Sequence, residues 1–469
     1  MPTEPDASET DAPSATDGSP QPSDWRDRVA SLSERVIPEP LSFAIVLTLL
    51  AMIAALLLTD AGPTGVVIAW GDGLSALLGF VAQMALMVLF SHTLAHVGPV
   101  PRLLTRLARI PRTERGARWF VCLFTGAVSL IAWPLGLILG GVMVRGVLDA
   151  LEQRAVRVNQ AALAASGFCG YVVWHMGYSA SAPLFVATPG NAMEEQIGRL
   201  IPASETLLSK WNLIGILVTL AVIGWVATRG AEARRGERDE DELQDPPANL
   251  AAPSRRAERW VERLAEARWP TAVAGLLVAS YLWLRSGSGA GGLDLNVVNW
   301  TFLCFGLLCT RSADEYLQAI GNAGRTVAPL LLLYPLYTGV MGLMLGTGVV
   351  ALVSERIASV ATSETLPLLA FFSGGLINLF VPSGGAQWAV QGPAFIEAAQ
   401  ATGTDIPLIV LSIAYGDQWT NLVHPFVVIP FALIARIEGK RILAGTVLMF
   451  LAAGVTLAGT LLAAGILGF

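Results

Sequence analysis

The chain has 469 residues, of which 54% are apolar and 14% are charged, and its mean hydropathy is +0.58. Soluble domains carry about 25% charged residues, so the composition excludes a soluble protein and predicts a polytopic membrane protein. The net charge of −6 gives no support for nucleic-acid binding. The four cysteines show neither metal-ligand spacing nor a disulfide framework, so we expect no metal site and no cofactor.

The N-terminal region is acidic. Residues 1–25 contain six acidic and no basic residues, and this composition predicts a disordered tail over residues 1–22. The tail lacks the positively charged start of a signal peptide, so we expect the N-terminus to lie in the cytoplasm. Apolar residues at helical spacing then predict an interfacial helix over residues 23–40.

Nine apolar stretches are suited to crossing a bilayer, which takes about 20 residues in a helix. They lie near residues 41–59, 74–97, 159–185, 210–228, 269–285, 295–310, 326–346, 406–434 and 442–468. Two further apolar stretches, 119–144 and 366–396, stand apart because proline and glycine interrupt them.

The interruptions of these two stretches correspond to each other. With an offset of 248 residues, Phe124, Gly126, Pro134 and Gly136 fall on Phe372, Gly374, Pro382 and Gly384. Lipid cannot hydrogen-bond the backbone groups that proline or glycine frees, so such breaks persist where they line a polar cavity. Corresponding broken segments in two halves of a chain indicate the binding site of a secondary transporter.

The placement of arginine indicates how the first broken stretch meets the membrane. The loop 98–118 holds six arginines, residues 119–144 hold no charge, and three more arginines follow. Basic loops stay in the cytoplasm, so 119–144 is predicted as a hairpin that enters and leaves from that side. A full crossing would put the nine arginines of 229–268 outside. By the same reasoning, the second hairpin, 366–396, enters from the outside.

These features predict an all-α polytopic membrane protein built as an inverted repeat. Each half contains one re-entrant helical hairpin and one broken transmembrane helix. The first repeat covers residues 41–228 and the second covers 295–469, with a cytoplasmic linker at 229–268 and a connecting span at 269–285 between them. In carriers of this kind, a site near the midplane is exposed to the two sides in turn.

The hairpin tips and the broken helices supply the candidate substrate-binding residues, because glycines admit a close ligand and half-helix N-termini attract anions. They are Ser129, Trp133, Gly136, His175, Asn378, Ser383, Gly384, Gly385, Gln387, Trp388, Gln391, Gln418 and Trp419. Small residues are also common at helix–helix contacts, so a structural kink is the alternative for either tip. A histidine in an apolar stretch can likewise be a structural hydrogen-bond donor.

Asp417 is a candidate for ion coupling, since ionisable residues within a membrane are costly. It lies about midway along 406–434, and Asn421 and His424 follow at i+4 and i+7, on one helix face. We expect Asp417 to bind a coupling cation or proton while His424 titrates. The full candidate set for the coupling ion is Asp417, Asn421, His424, Thr188 and Asn191. The alternative is a buried network that braces an unwound helix.

Six motifs occur in one order along the chain. They are Trp70-Gly71-Asp72-Gly73, Ala187-Thr188-Pro189-Gly190-Asn191, Leu200-Ile201-Pro202, Pro382-Ser383-Gly384-Gly385, Gln391-Gly392-Pro393 and Ala414-Tyr415-Gly416-Asp417-Gln418-Trp419. Together they resemble the short-chain fatty acid transporter family, whose best-known member handles acetoacetate or butyrate. That family resembles the wider ion transporter superfamily of hairpin-bearing carriers, which implies a homodimer. The chain departs from the family pattern at Pro134, His175, Gln387, Asp417 and His424.

The sequence thus predicts a secondary active transporter of the cytoplasmic membrane that carries short-chain fatty acids or similar small monocarboxylates, coupled to H⁺ or Na⁺. A dicarboxylate, amino-acid or cation/proton exchanger of the same superfamily is the alternative, although dicarboxylates would need more positive charge at the tips. The sequence contains no Walker A motif, so ATP-driven transport by this chain alone is disfavoured. An intramembrane enzyme that uses Asp417, His424 and His175 is disfavoured, because no nucleophile or metal motif accompanies these residues.

Overall fold

The computed structural model describes residues 40–76, 78–97, 100–191, 193–229, 266–287 and 295–468, and all regular structure within these ranges is helical. The predicted acidic tail, nearly all of the predicted interfacial helix and most of the 229–268 linker lie outside the described residues. The described ranges include most of both predicted repeats and the span that joins them.

Helices α1 to α10 belong to the first half of the chain. Their bounds are α1 (Pro40–Leu58), α2 (Pro63–Ala76), α3 (Leu78–His96), α4 (Val100–Ala108), α5 (Glu114–Ile131), α6 (Trp133–Glu152), α7 (Gln160–Gly170), α8 (Ser181–Ala187), α9 (Glu194–Ile197) and α10 (Lys210–Thr228). A short 3-10 helix, Tyr171–Met176, separates α7 from α8, and this segment is the first break.

Helices α11 to α19 belong to the second half. Their bounds are α11 (Trp269–Gly287), α12 (Leu295–Cys309), α13 (Ala313–Gly346), α14 (Val349–Ser359), α15 (Leu366–Asn378), α16 (Gly384–Thr402), α17 (Ile406–Thr420), α18 (Pro425–Ala435) and α19 (Gly439–Leu467). The 3-10 helix Asn421–Val423 separates α17 from α18 and is the second break.

Several helices have the length and composition of membrane spans. Within the described residues, five are long and apolar enough, or up to seven if each bent helix pair counts as one span. The helices α1, α10, α11, α12 and α19 begin and end within three residues of the predicted spans. By contrast, α13 begins well before residue 326, because Ser312 caps it by accepting the Glu315 N–H at 3.1 Å.

The first hairpin consists of α5 and α6. A Cβ added at Gly140 would meet Thr125, and one added at Gly136 would meet Ser129, so the two arms run antiparallel with small residues between them. The chain reverses at one extended residue, Ala132, between the two helices. Close packing through small residues is how helices associate without a hydrophobic driving force in lipid.

The second hairpin consists of α15 and α16. Gln387 Nε2 donates to the Gly374 carbonyl at 2.8 Å, and Ser373 Oγ donates to Gln391 Oε1 at 3.3 Å, so these arms are also antiparallel. The turn covers residues 379–383 and is therefore longer than the turn of the first hairpin. Side-chain hydrogen bonds take the place here of the tight glycine contacts in the first hairpin.

Each break splits a helix whose second part packs on the opposite half. Helix α8 packs against α16 of the second hairpin, and α18 packs against α6 of the first. A Cβ at Gly140 or Gly141 would lie 3.1 or 3.0 Å from Phe431 of α18, so glycines permit this contact. The exchange brings both tips and both breaks together. The predicted fold class, an all-α inverted repeat with a hairpin and a broken helix in each half, is confirmed, while the side from which each hairpin enters the bilayer stays a prediction.

Candidate substrate and coupling site

A cavity of about 290 Å³ lies where the hairpin tips and the breaks meet. Its lining comes from both tips, both broken helices, the long helix α13 and one residue of α3. The residues are Met84, Trp133, Leu137, Tyr171, Trp174, Ser181, Tyr334, Tyr337, Thr338, Met341, Pro382, Ser383, Gly384, Gly385, Asp417, Asn421, Phe426 and Val427. Six predicted site residues are among them, namely Trp133, Ser383, Gly384, Gly385, Asp417 and Asn421.

Asp417, which lines the cavity, forms a buried pair with His175, which lies directly behind it. We call them the histidine–aspartate pair, and the side chains of His175 and Asp417 are 0% and 2% exposed. His175 Nδ1 lies 2.8 Å from Asp417 Oδ2, and the Ala182 backbone N–H donates to His175 Nε2 at 3.3 Å. Because Nε2 accepts, a neutral ring carries its proton on Nδ1 and donates it to the carboxylate. The His175 ring stacks on Trp174 with centroids 4.1 Å apart, and Gln418 Oε1 accepts the His175 backbone N–H.

The tip of the second hairpin faces this pair. Ser383 precedes α16 without forming a side-chain cap, and its hydroxyl lines the cavity. The first N–H groups of α16, those of Gly384 and Gly385 included, have no intrahelical acceptor, so the positive end of the helix dipole points to the cavity. A Cβ at Gly384 would lie 3.1 Å from His175 Nε2 and 3.4 Å from Asp417 Oδ2. Only glycine allows the backbone to approach the pair this closely.

Asn378, at the end of α15, braces the second break. Its Nδ2 lies 2.9 Å from the Asp417 carbonyl, 2.9 Å from Thr420 Oγ1 and 2.7 Å from Asn421 Oδ1. An amide nitrogen carries two protons, so three acceptors share them. The side-chain oxygen of Asn378, Oδ1, is buried and accepts no hydrogen bond from the described residues. The network fixes the second break, and with it Asp417, against the second hairpin.

The tip of the first hairpin is closed by the protein's own groups. Ser179 Oγ accepts the Trp133 N–H at 2.8 Å, and the Leu130 carbonyl accepts the Tyr178 N–H at 2.7 Å. The rings of Trp133 and Trp174, with centroids 6.2 Å apart, both line the cavity. The first tip therefore contributes aromatic surface, and the second contributes polar groups.

Several predicted substrate residues lie behind the cavity wall. They are Ser129, Gly136, His175, Asn378, Gln387, Trp388, Gln391, Gln418 and Trp419. Ser129 and Gly136 pack arm against arm in the first hairpin, whereas Gln387 and Gln391 join the arms of the second. Trp419 donates its indole N–H to the Phe450 backbone carbonyl at 2.8 Å, and its indole stacks on the Phe450 ring. These contacts hold the elements around the site, and a direct role in binding stays a prediction.

His424 lies beyond the second break and does not line the cavity. Its Nε2 is 3.0 Å from the Leu379 carbonyl, and its Nδ1 accepts the Phe426 N–H at 3.1 Å. The structure corrects the prediction that Asp417, Asn421 and His424 share one helix face, because the α-helix ends before Asn421. His424 itself is extended, as the residue before a proline usually is, and caps α18.

Thr188 and Asn191 also lie away from the cavity. Thr188 Oγ1 donates to the Leu184 carbonyl at 2.7 Å, and Asn191 Nδ2 donates to the Thr188 carbonyl at 3.0 Å. Both contacts are local ones at the C-terminal end of α8. The structure therefore does not bring these two candidates to Asp417.

A sequence profile of the family described as "Short chain fatty acid transporter" matches residues 25–463. The chain belongs to the short-chain fatty acid transporter family. A relative from Escherichia coli (strain K12), named "Putative short-chain fatty acid transporter", is 36% identical over 430 residues, 90% of this chain and 95% of the relative. A relative of the same name from Haemophilus influenzae is 34% identical over 417 residues, 87% and 92% of the two chains. Among solved structures, the YdaH transporter of Alcanivorax borkumensis has 15% identity and a TM-score of 0.40, over 92% of this chain and 99% of that one.

Family membership confirms the resemblance that the six motifs indicated, and the chain is a multi-pass membrane transporter of the short-chain fatty acid transporter family. Five aromatic residues of the cavity were not predicted from the sequence: Phe426, Tyr171, Trp174, Tyr334 and Tyr337. A signal for the last two existed, since Tyr334-Pro335-Leu336-Tyr337 places a proline inside a predicted span. What spacing alone could not give is the packing of α13 against α18, which carries these rings to the site.

Proposed function

We propose that this transporter is a secondary carrier of short-chain fatty acids or similar small monocarboxylates, which are exposed to the two sides of the membrane in turn. The observation that supports it most is the convergence, at one cavity, of the free N-terminus of α16 and the buried histidine–aspartate pair. The name of the two curated relatives points to the same class of substrate.

The cavity suits an anion with one charge and a short apolar tail. The N–H groups of Gly384 and Gly385, with the Ser383 hydroxyl, can hold a carboxylate. The rings of Trp133 and Trp174 offer an apolar surface to the tail. Neither arginine nor lysine occurs among the described residues that line the cavity. A dicarboxylate would therefore bring a second negative charge without a cationic partner.

Coupling to a cation follows from the position of Asp417, which already places a carboxylate at the cavity. Two like unit charges 4 Å apart repel each other by about 4 kcal/mol at an effective dielectric constant of 20. A proton or Na⁺ bound together with the substrate would remove this repulsion. We accordingly propose symport with H⁺ or Na⁺.

We place the protein in the cytoplasmic membrane with its N-terminus inside, so that the arginine-rich loops 98–118 and 229–268 remain in the cytoplasm. In this orientation the two hairpins enter from opposite faces. A homodimer is proposed from the resemblance to the ion transporter superfamily.

Undissociated short-chain acids cross lipid bilayers unaided, so binding is the cleaner first test. Protein in detergent is heated with acetate to hexanoate, acetoacetate or succinate, and we expect monocarboxylates to raise the unfolding midpoint. Exchange of labelled acetoacetate in proteoliposomes then measures protein-dependent transport. Neither stabilisation nor exchange by any monocarboxylate would contradict the proposal. Preference for succinate would favour the dicarboxylate alternative, and conversion of acetoacetate faster than its spontaneous decarboxylation in protein-free vesicles would indicate an enzyme.

A further inference from the structure

The histidine–aspartate pair can exist in two charge states, and the hydrogen bonds around it differ between them. We propose that the pair binds the one coupling proton, and that protonation of His175 Nε2 completes the binding site for the substrate carboxylate. This proposal rests on the proposed function, since it names the coupling ion of the same cavity and the step that admits the anion.

In the arrangement described, His175 Nε2 is an acceptor. The Ala182 N–H points at it from 3.3 Å, while Nδ1 lies 2.8 Å from Asp417 Oδ2. A neutral imidazole has one N–H, and here it is Nδ1–H, which donates a hydrogen bond to the Asp417 carboxylate. The pair then has a net charge of −1. His175 Nε2, the ring nitrogen next to Ala182, carries no proton and cannot donate to a second carboxylate.

A proton taken from solvent by Nε2 reverses these roles. The imidazolium keeps Nδ1–H on Asp417 and gains Nε2–H, so two donors, Nε2–H and the Ala182 N–H, now point at each other. In the present arrangement the two nitrogens are 3.3 Å apart, so their mutual repulsion must first turn or separate them, after which a carboxylate that approaches from the cavity can accept from both. Gly384 is close to the same ring edge, and the free N–H groups of α16 begin there. A carboxylate is the chemical group that fits these donors.

Protonation of the pair also changes the charge of the site in favour of anion binding. The protonated pair is neutral overall, so an incoming anion no longer meets an uncompensated carboxylate. The other titratable groups that face the pair are the phenols of Tyr171, Tyr334 and Tyr337, which are uncharged near neutral pH. Tyr415, also on α17, donates its hydroxyl to Asn212 Oδ1 at 2.8 Å. Both ring nitrogens of His424 are occupied by backbone groups.

A proton fits the pair better than Na⁺ does. Asp417 Oδ2 already accepts from His175 Nδ1, so a nitrogen donor rather than an oxygen ligand lies beside it. Hard cations prefer several oxygen ligands. Proton binding needs no such set, and it explains why a histidine lies beside the carboxylate.

Calorimetric titration of the purified transporter with acetoacetate, in buffers of different ionisation enthalpy from pH 6 to 9, counts the protons taken up per anion bound. We expect the count to approach one at the alkaline end. Affinity should weaken there by roughly tenfold for each pH unit. Replacement of Na⁺ by choline should change neither result. The variant His175→Gln can keep both hydrogen bonds of the ring but cannot gain a proton, so at every pH it should bind acetoacetate as weakly as the wild type does at the alkaline end, and without proton uptake.

His424→Gln is the matched variant, with the same substitution at a histidine whose ring nitrogens contact backbone groups rather than Asp417, and it should retain the proton uptake. Anion binding by the wild type with no proton uptake at any pH, or binding that requires Na⁺, would overturn the inference and leave the proposed function standing. Loss of uptake in His424→Gln alone would overturn it as well. Failure of every monocarboxylate to bind would instead refute the proposed function. If His175→Gln does not bind acetoacetate at all, the number of protons that the wild type takes up per anion bound still tests the inference.

Discussion

Both hairpins consist of two antiparallel helices joined by a turn, but their tips differ in whether the polar groups face the cavity. At the first tip, Ser179 Oγ accepts the Trp133 N–H, and the next residue, Pro134, has no N–H to offer. At the second tip, Ser383 and the start of α16 face the cavity and the histidine–aspartate pair. Since only the second tip leaves its polar groups to a ligand, we regard the first hairpin as a scaffold and the second as the binding element.

The arms of the hairpins are joined by different forces. In the first, Gly136 lies against Ser129 so closely that no larger residue fits. In the second, the Gln387 side chain reaches across to the Gly374 carbonyl. Close-packed interiors resist added volume, whereas a side-chain hydrogen bond can shift with its partner. The same kind of substitution should therefore affect stability alone in the first hairpin and ligand binding as well in the second.

The largest effect on binding is expected for Gly384→Ala. The new Cβ would lie inside van der Waals contact with the His175 ring and 3.4 Å from Asp417 Oδ2. The ring is stacked and hydrogen-bonded, so it cannot move aside without breaking the pair. We expect monocarboxylate affinity to fall by about 100-fold, or about 2.7 kcal/mol, and the overpacking to lower the unfolding midpoint as well.

Gly385→Ala is the neighbouring control for this prediction. Its Cβ would meet only Ser181 Cβ at 3.9 Å, an ordinary contact. We expect a much smaller loss of affinity, since the backbone N–H is retained. Equal losses at both positions, measured by the same calorimetric titration, would show that closeness to the histidine–aspartate pair is not what makes Gly384 necessary.

Gly136→Ala, the corresponding change in the first hairpin, should act on stability. Its Cβ would lie 2.8 Å from Ser129 Cβ and 3.0 Å from Ser129 Cα, so the arms must separate. Overpacking of this kind typically costs about 1–3 kcal/mol. The measurement is the unfolding midpoint in detergent. The double variant Ser129→Gly/Gly136→Ala moves the methyl group to the other arm and should recover part of the loss, and no recovery would contradict the packing explanation.

Much of the fold could be predicted because it rests on local patterns. The apolar stretches near 210–228 and 295–310 coincide with helices to within one residue. The offset that aligns the two broken stretches identified both hairpins. It could not give their turns, since the second helix starts at Trp133 in one hairpin and at Gly384 in the other, three positions apart after alignment.

The candidate site was harder to predict, because its pairs are distant in sequence. His175 and Asp417 were both chosen as ionisable residues in apolar stretches, but their contact depends on how the two breaks meet. His424 was placed with Asp417 by helical spacing, and this failed because spacing is lost where the α-helix stops at the second break. Periodicity is therefore least informative at the broken helices, where the site lies.

Asn378→Leu would give the second hairpin the residue that the first has at the corresponding position, Leu130. The change removes the donor shared by the Asp417 carbonyl, Thr420 and Asn421. Unpaired buried polar groups cost about 1–3 kcal/mol each, so the unfolding midpoint should drop and binding should weaken. A variant that is as stable as wild type and binds normally would show that this brace is dispensable.

The smallest effects are expected from two serine changes that contrast the tips. Ser179→Ala removes the acceptor of the Trp133 N–H and should lower stability by about 1 kcal/mol with affinity nearly unchanged. Ser383→Ala removes a hydroxyl that lines the cavity and makes no helix cap, so it should reduce affinity several-fold and leave stability intact. Unfolding midpoints and acetoacetate titrations of both variants measure this opposite pattern. If Ser179→Ala were the variant that loses affinity, the first tip would also bind the substrate, and its description as a scaffold would be wrong.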